Sequence, residues 1–285
     1  MCYAYHYTTE EGFKGIIESQ ELWATSIYYL NDWTEFNHGK DALVESAKAL
    51  AGDKDAADAA AQLLAYLYDA QPQLFVCSFS ASEKRGDDLS QWRAYCPRGG
   101  YAIGFPIAEL LKHTQSVGMG RWGLMKCEYS TVGAGQFAKG FAPIMNNIFQ
   151  LAGGAKAFRA QFPFRDPGKD GLLATLWQYV AKYKHDAFGA ECEWRLVRLL
   201  THGDRPQFRL ANGALVPYVP FSLKSADLWR QAEIVMSPCL PDAAALRQET
   251  TRAFLEAELA RHSLPTDCAR SIRPSEAPYR APTPI

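Results

Sequence analysis

Residues 74 to 105 read LFVCSFSASEKRGDDLSQWRAYCPRGGYAIGF, and the fold turns on this stretch. Leu74 to Phe79 is a short apolar run with Pro72 before it and a polar loop after it, which predicts a buried strand. The loop Ser80 to Asp88 is charged and contains Gly86. Asp88 is placed to cap a short helix carrying Leu89, Trp92, Arg93 and Tyr95. Pro97, Gly99 and Gly100 stop that helix, and Tyr101 to Phe105 starts a second strand. Strand, loop, short helix, glycine turn and strand together set two aromatics and an arginine at the mouth between two buried strands. Sheets commonly build ligand sites in such crevices. Trp92 and Tyr95, three apart, also have the spacing of a pair that only pins its helix to the core.

Working outward, Cys2 to Thr8 predicts a strand with Tyr3, Tyr5 and Tyr7 on one face and His6 on the other. Thr9 caps the next helix, which buries Phe13, Ile16 and Ile17, and Leu22 to Ser26 is a further strand. Residues 35 to 70 read as two alanine-rich amphipathic helices, an insertion with the apolar stripe Ala56, Ala60, Leu63, Leu64 and Leu67. Pro106 opens a helix to about His113, and Leu124 to Tyr129 is a strand. Helices are expected at about 136 to 151 and 171 to 188, then a strand from Glu191 to Leu200. Asn212-Gly213 marks a hairpin, and Ile234 to Met236 is the last buried strand. The closing helix, Ala243 to His262, turns Leu246, Ala253, Phe254 and Ala257 inward, and a Pro-rich tail from about 273 to 285 is an edge or loosely attached segment. Strands cluster in 74 to 130 and 190 to 236, so the fold class is α+β, a single domain over 1 to 285.

Composition excludes several classes. Hydrophobic residues make up 48% and charged residues 21%, which is an ordinary globular balance and not a disordered one. A net charge of −1 leaves no electrostatic footprint for nucleic acid or an acidic membrane. Seven scattered cysteines without CxxC point to a reducing, cytoplasmic compartment. No apolar run is long enough to span a membrane, and no signal peptide follows Met1. Gly118 to Gly123 matches GxGxxG but precedes a strand where the dinucleotide fingerprint follows one, so it is set aside. The six histidines show no ligand spacing, so no metal is expected, and Cys96 has no histidine tied to it as a nucleophile would.

Three pieces remain: His6, the short helix with Ser90, Trp92, Arg93 and Tyr95, and the pair Glu191 and Glu193 beside Arg195. At i and i+2 of one strand the two carboxylates share a face, where like charges raise a pKa unless a cationic or hydroxyl-rich ligand lies between them. The plainer readings are a histidine bonded to backbone and a salt bridge from glutamate to Arg195 or Arg198.

Tyr5-His6-Tyr7-Thr8, Leu22-Trp23-Ala24-Thr25, Leu30-Asn31-Asp32 with Glu35, Trp92-x-x-Tyr95 and Glu191-x-Glu193-Trp194-Arg195 resemble a bacterial family labelled domain of unknown function 2971, over about residues 3 to 240. That family in turn resembles the ADP-ribosyltransferase superfamily, whose sites combine a strand His, a helical Tyr and a strand Glu. The resemblance implies a split β-sheet core and NAD as substrate, with no metal. His6, Tyr7 and Thr8 would bind the nucleotide, His6 donating to the adenosine-side ribose. Tyr95 would stack on nicotinamide, with Ser90 or Trp92 lining its pocket. Glu193 would act at the ribose 2′-hydroxyl, with Glu191 nearer the acceptor. Arg93 and Lys84 are placed to meet the pyrophosphate, or are solvated loop charges. His6, Tyr95 and Glu193 are expected to converge on one cleft between two facing sheets. The implied activity is ADP-ribosyl transfer to a macromolecular acceptor, protein or nucleic acid, in bacterial stress or phage defence, with a regulating partner protein. The rivals are an NAD glycohydrolase using the same residues and a non-catalytic module that binds a nucleotide or a partner.

Overall fold

The computed structural model describes residues 2–30, 58, 74–117, 122–130, 146–147, 149–150, 152–161, 181–200, 204–211, 213–239 and 241–278. The expected insertion at 35–70, save Asp58, and most of the helices expected at 136–151 and 171–188 lie outside the described residues. The described elements run, in chain order, β1 (Tyr3–Thr8), α1 (Glu10–Ser19), β2 (Glu21–Ser26), β3 (Leu74–Ser80), α2 (Leu89–Tyr95), β4 (Tyr101–Pro106), α3 (Ile107–Ser116), β5 (Trp122–Lys126), β6 (Glu128–Ser130), α4 (Ala155–Gln161), β7 (Tyr183–His185), β8 (Glu193–Leu199), β9 (Gln207–Ala211), β10 (Ala214–Ser222), α5 (Ala226–Arg230), β11 (Glu233–Met236), α6 (Pro241–Arg261) and β12 (Ile272–Pro274).

Ten of these strands form one sheet, in the order β12-β11-β4-β1-β3-β2-β10-β9, with β8 on β3 and β5 on β8. Every pair in it is antiparallel except β11 with β12. The class is mixed α+β with a mostly antiparallel open sheet, as the clustering of strand signals predicts. Among the described helices none is long and apolar enough to cross a membrane.

The main core lies on one face of this sheet. There Phe13, Ile16 and Ile17 of α1, Leu110 of α3, Trp229 of α5, and Leu255 and Leu259 of α6 pack on Ala4, Leu22, Phe79, Ile103, Phe105 and Leu196. Thr9 caps α1 by accepting from the Gly12 amide at 3.1 Å. The side chain of Asp88 likewise accepts from the Ser90 amide at 2.9 Å and fixes the start of α2. Tyr3, Tyr5 and Tyr7 turn to the opposite face, where Tyr5 and Tyr7 pack with Trp92, Cys96, Ala102 and Val235. Alternation along β1 therefore separates the tyrosines from His6. Tyr5 lies tight against two glycines: a Cβ on Gly104 would come 2.3 Å from its ring and one on Gly86 2.4 Å.

Several expectations are corrected. Residues 183–185, expected to be helical, form β7, which pairs in parallel with β6, and Asp186–Glu191 is a 3-10 turn. The expected strand from Leu124 to Tyr129 is two strands broken at Cys127, whose amide is taken by the Glu193 carbonyl at 2.8 Å. On α6 the inward positions are Thr251, Leu255 and Leu259, while Leu246, Ala253 and Ala257 are exposed and Phe254 is half-buried. Alanines and threonines give that helix little amphipathic contrast, so its phase is set by the two leucines one turn apart. The described part of the tail is an edge segment: Ile272–Pro274 pairs with β11, and the Ser275 hydroxyl and the Glu276 amide bond Asp87.

A forked strand and a carboxylate cage

Strand β3 organises the candidate site. One edge is paired along its whole length with β8, from Leu74↔Leu199 to Ser80↔Glu193. The other edge is shared. β2 takes Phe75 and Val76, β1 takes only Ser80, and the two strands diverge between. The sheet is forked there, and His6 occupies the fork. Its Nδ1 lies 3.0 Å from the Ser78 carbonyl and 3.6 Å from Cys77 Sγ, with the Phe79 ring 5.7 Å away.

A carbonyl only accepts, so Nδ1 carries the proton. Burial above all holds the His6 pKa below its ordinary value, against the bond to Ser78, and the charge of Arg209 adds to the lowering. The ring is thus neutral with Nε2 as an acceptor. The donation to a ribose hydroxyl expected of His6 would need the proton on Nε2, whereas here Nδ1 carries it. Burial also pushes the Cys77 thiol up to about 12, so it stays protonated.

Glu193 begins β8 and lies in one cross-strand row with Ser80 and Tyr5. Its carboxylate is enclosed, the residue being 3% exposed. The Arg195 guanidinium donates to both oxygens, at 2.9 and 3.1 Å, and Lys184 Nζ donates to Oε2 at 2.8 Å. Its amide donates to the Tyr129 hydroxyl at 2.7 Å. Burial pushes the carboxyl up, but the Arg195 and Lys184 charges overcome this and hold it at about 2. Glu193 is ionised at every physiological pH.

Glu191 does not share a strand face with Glu193, contrary to the alternation expected. It closes the 3-10 turn, Cys192 follows in the left-handed region (φ 45), and the strand starts only at Glu193. The two carboxylates meet all the same, because Lys184 Nζ also donates to Glu191 Oε2 at 2.8 Å. A buried cation between the glutamates resolves the like-charge conflict. Arg195 was a legible partner from its spacing. Lys184, Tyr129 and Ser80, whose hydroxyl donates to the Glu191 carbonyl at 2.8 Å, were not. Nothing local marks Lys184, which reaches the carboxylates through tertiary folding of β7.

The helix residues divide. Trp92 is fully buried, edge-on to Tyr7 at 4.8 Å, with its indole N–H donating to Asp87 at 2.8 Å. It pins α2 to the sheet. Ser90 is exposed and its hydroxyl donates to Asp88, and Arg93 is exposed on the outer side. Tyr95 is half-buried against the Tyr5–Tyr7–Trp92 cluster. Thr8 ends β1 with its carbonyl accepting from Cys96 Sγ at 3.2 Å. Lys84 lines an open groove of about 730 Å³ with Arg85, Glu233, Arg270 and Arg273.

Tyr7, Tyr95, Ser80 and Glu193 therefore lie on one face, and His6 points to the other from the fork. The expected cleft between two facing sheets is corrected: these strands form one forked sheet, with Tyr95 and Glu193 on one face and His6 on the other. From Ser78, whose carbonyl His6 touches, Glu193 lies two residues along β3 and one strand across.

Residues 91–196 match the model of a family described as a protein of unknown function, DUF2971. The match begins in α2 and ends in β8, so it takes in Trp92, Tyr95, Lys184, Glu191, Glu193 and Arg195 but not His6. It is narrower than the span of the motifs quoted from the sequence, and its description carries no activity. No curated protein and no solved structure matches the chain.

Proposed function

We propose that the protein is an NAD-dependent ADP-ribosyltransferase whose site lies at the fork of β3. The supporting observation is the fork itself. It brings a neutral histidine to the Ser78 carbonyl, two residues along β3 and one strand across from an ionised glutamate, with Tyr95 on the glutamate's face. In this reading the bond between nicotinamide and ribose breaks with its electron pair leaving on nicotinamide. Positive charge then develops at the ribose carbon. The Glu193 carboxylate stabilises it, and one such group contributes about 3 kcal/mol. A carboxyl held at about 2 suits this fixed-charge role and is too weak a base to take a proton. The acceptor's proton falls to Glu191, and the acceptor bonds to the ribose carbon. His6 accepts a hydrogen bond from a sugar hydroxyl, and Tyr95 stacks on nicotinamide. Substrate reaches Glu193 once Lys184 swings towards Glu191 alone.

The enclosure of Glu193 favours a second reading. Three charge-assisted bonds to a carboxylate that is 3% exposed are what a structural ion cluster provides, and such a protein would be a binding module without turnover. Incubation with NAD labelled in the adenosine half, with and without cell lysate, separates the two. Label entering protein or nucleic acid supports transfer, free ADP-ribose alone supports an NAD glycohydrolase, and intact NAD with every acceptor removes the enzyme readings.

A further inference from the structure

Arg209 is a cation without a carboxylate among the described residues. It lies on β9 opposite Val216 of β10, and Tyr218 two residues on pairs with Thr25 of β2. Alternation puts Arg209, Tyr218, Thr25 and Trp23 on one face. Thr25 is in turn opposite Val76 of β3, so this is the face that carries Ser80 and Glu193.

Its contacts are few. Nη2 donates to Thr25 Oγ1 at 3.0 Å, and the guanidinium lies 5.6 Å from the Trp23 ring, which stands 4.5 Å from Tyr218. Among the described residues Nε is sealed from solvent and has no hydrogen-bond partner. Three other buried or half-buried arginines near the sheet have acids: Arg195 has Glu193, Arg198 has Asp204 and Arg247 has Glu10. A buried donor left unpaired costs stability, and such donors in native structures mark a missing partner. A guanidinium presents its N–H donors as a planar fork that fits the oxygens of a phosphate. The half-exposed indole beside it, 37% accessible, offers a stacking surface for a base.

We infer that Arg209, with Thr25 and Trp23, forms a subsite for the phosphate of a nucleotide at the fork of the sheet. The reach of its charge to His6 and Cys77 is consistent with a guanidinium directed towards the fork. In the transferase reading this phosphate belongs to the pyrophosphate of NAD, an identity that rests on that reading. It displaces Arg93 and Lys84 from the role expected of them.

The test titrates the full-length protein with ADP, inorganic pyrophosphate and adenosine by calorimetry, for wild type, Arg209→Gln, Arg209→Lys and Trp23→Leu. ADP and pyrophosphate should bind wild type, with adenosine weaker by about 10-fold or more. Arg209→Gln should weaken ADP by a similar factor, while Arg209→Lys keeps part of the affinity because charge remains. Trp23→Leu should weaken ADP and spare pyrophosphate. Wild type that binds none of the three, or Arg209→Gln that binds ADP as wild type does, overturns the subsite. Nicotinamide release from NAD is followed on the same preparations. ADP binding through Arg209 without any release keeps the subsite and removes the transferase. Release with an unchanged KM in Arg209→Gln does the reverse.

Discussion

Replacing Lys184 with methionine removes the cation that bridges the two glutamates while keeping side-chain length. Lys184 is 6% exposed and bonds each carboxylate at 2.8 Å. Breaking a buried pair costs about 3–5 kcal/mol because the partner charge stays behind. Glu193 keeps both bonds from Arg195 and Glu191 is partly exposed, so the expected loss is about 3 kcal/mol. The same cage sets an acid limit. The Glu193 carboxyl falls from its ordinary 4.5 to about 2, and at roughly 1.4 kcal/mol per pH unit this gives on the order of 3 kcal/mol. A depressed carboxyl stabilises the fold fully above its unfolded value, so this contribution is present above pH 4.5 and is lost as pH falls towards 2. In Lys184→Met the carboxyl rises towards its ordinary value, so the contribution shrinks and its loss is complete at a higher pH. Urea unfolding of wild type, Lys184→Met, Glu193→Gln and the double variant, from pH 3 to 7, reads both effects. The singles should couple by about 1 kcal/mol or more. A Lys184→Met variant within about 0.5 kcal/mol of wild type, with its acid limb unmoved, refutes the cage as a source of stability.

Tyr95→Ala should weaken NAD binding more than Tyr95→Phe, because stacking needs the ring and not the hydroxyl. Equal loss in calorimetry removes the stacking role. Glu193→Gln should lower both transfer and NAD hydrolysis by about 100-fold, whereas Glu191→Gln should lower transfer and leave slow hydrolysis. The opposite pattern in nicotinamide release, with and without lysate, reverses the two assignments. Gly104→Ala places a methyl 2.3 Å from the Tyr5 ring, and overpacking of this kind costs about 1–3 kcal/mol. A melting temperature equal to wild type would show that Tyr5, whose hydroxyl donates to Glu233 at 2.6 Å, can shift freely.

What the sequence determined by itself is local. Thr9 and Asp88 as caps, the alternation of Tyr3, Tyr5 and Tyr7 against His6, and the strand and helix order of 74–105 follow from period and capping chemistry. These act over a few residues and need no knowledge of neighbours. The histidine bonded to backbone and the arginine paired to Glu193 were likewise legible as the plainer readings of their motifs. What only the tertiary structure decided depends on contacts distant in sequence. β1 and β2 share one edge of β3, and that fork lets an imidazole replace a strand at Ser78. Lys184 reads as an interior helix position, yet the pairing of β7 with β6 brings its ammonium between Glu191 and Glu193. Arg209 reads as a surface residue of a hairpin, and only the register of β9, β10 and β2 carries its guanidinium onto the face of Glu193. A charge acts over several ångströms in space whatever its distance along the chain, so the electrostatics of this site could be read only once the sheet order was known.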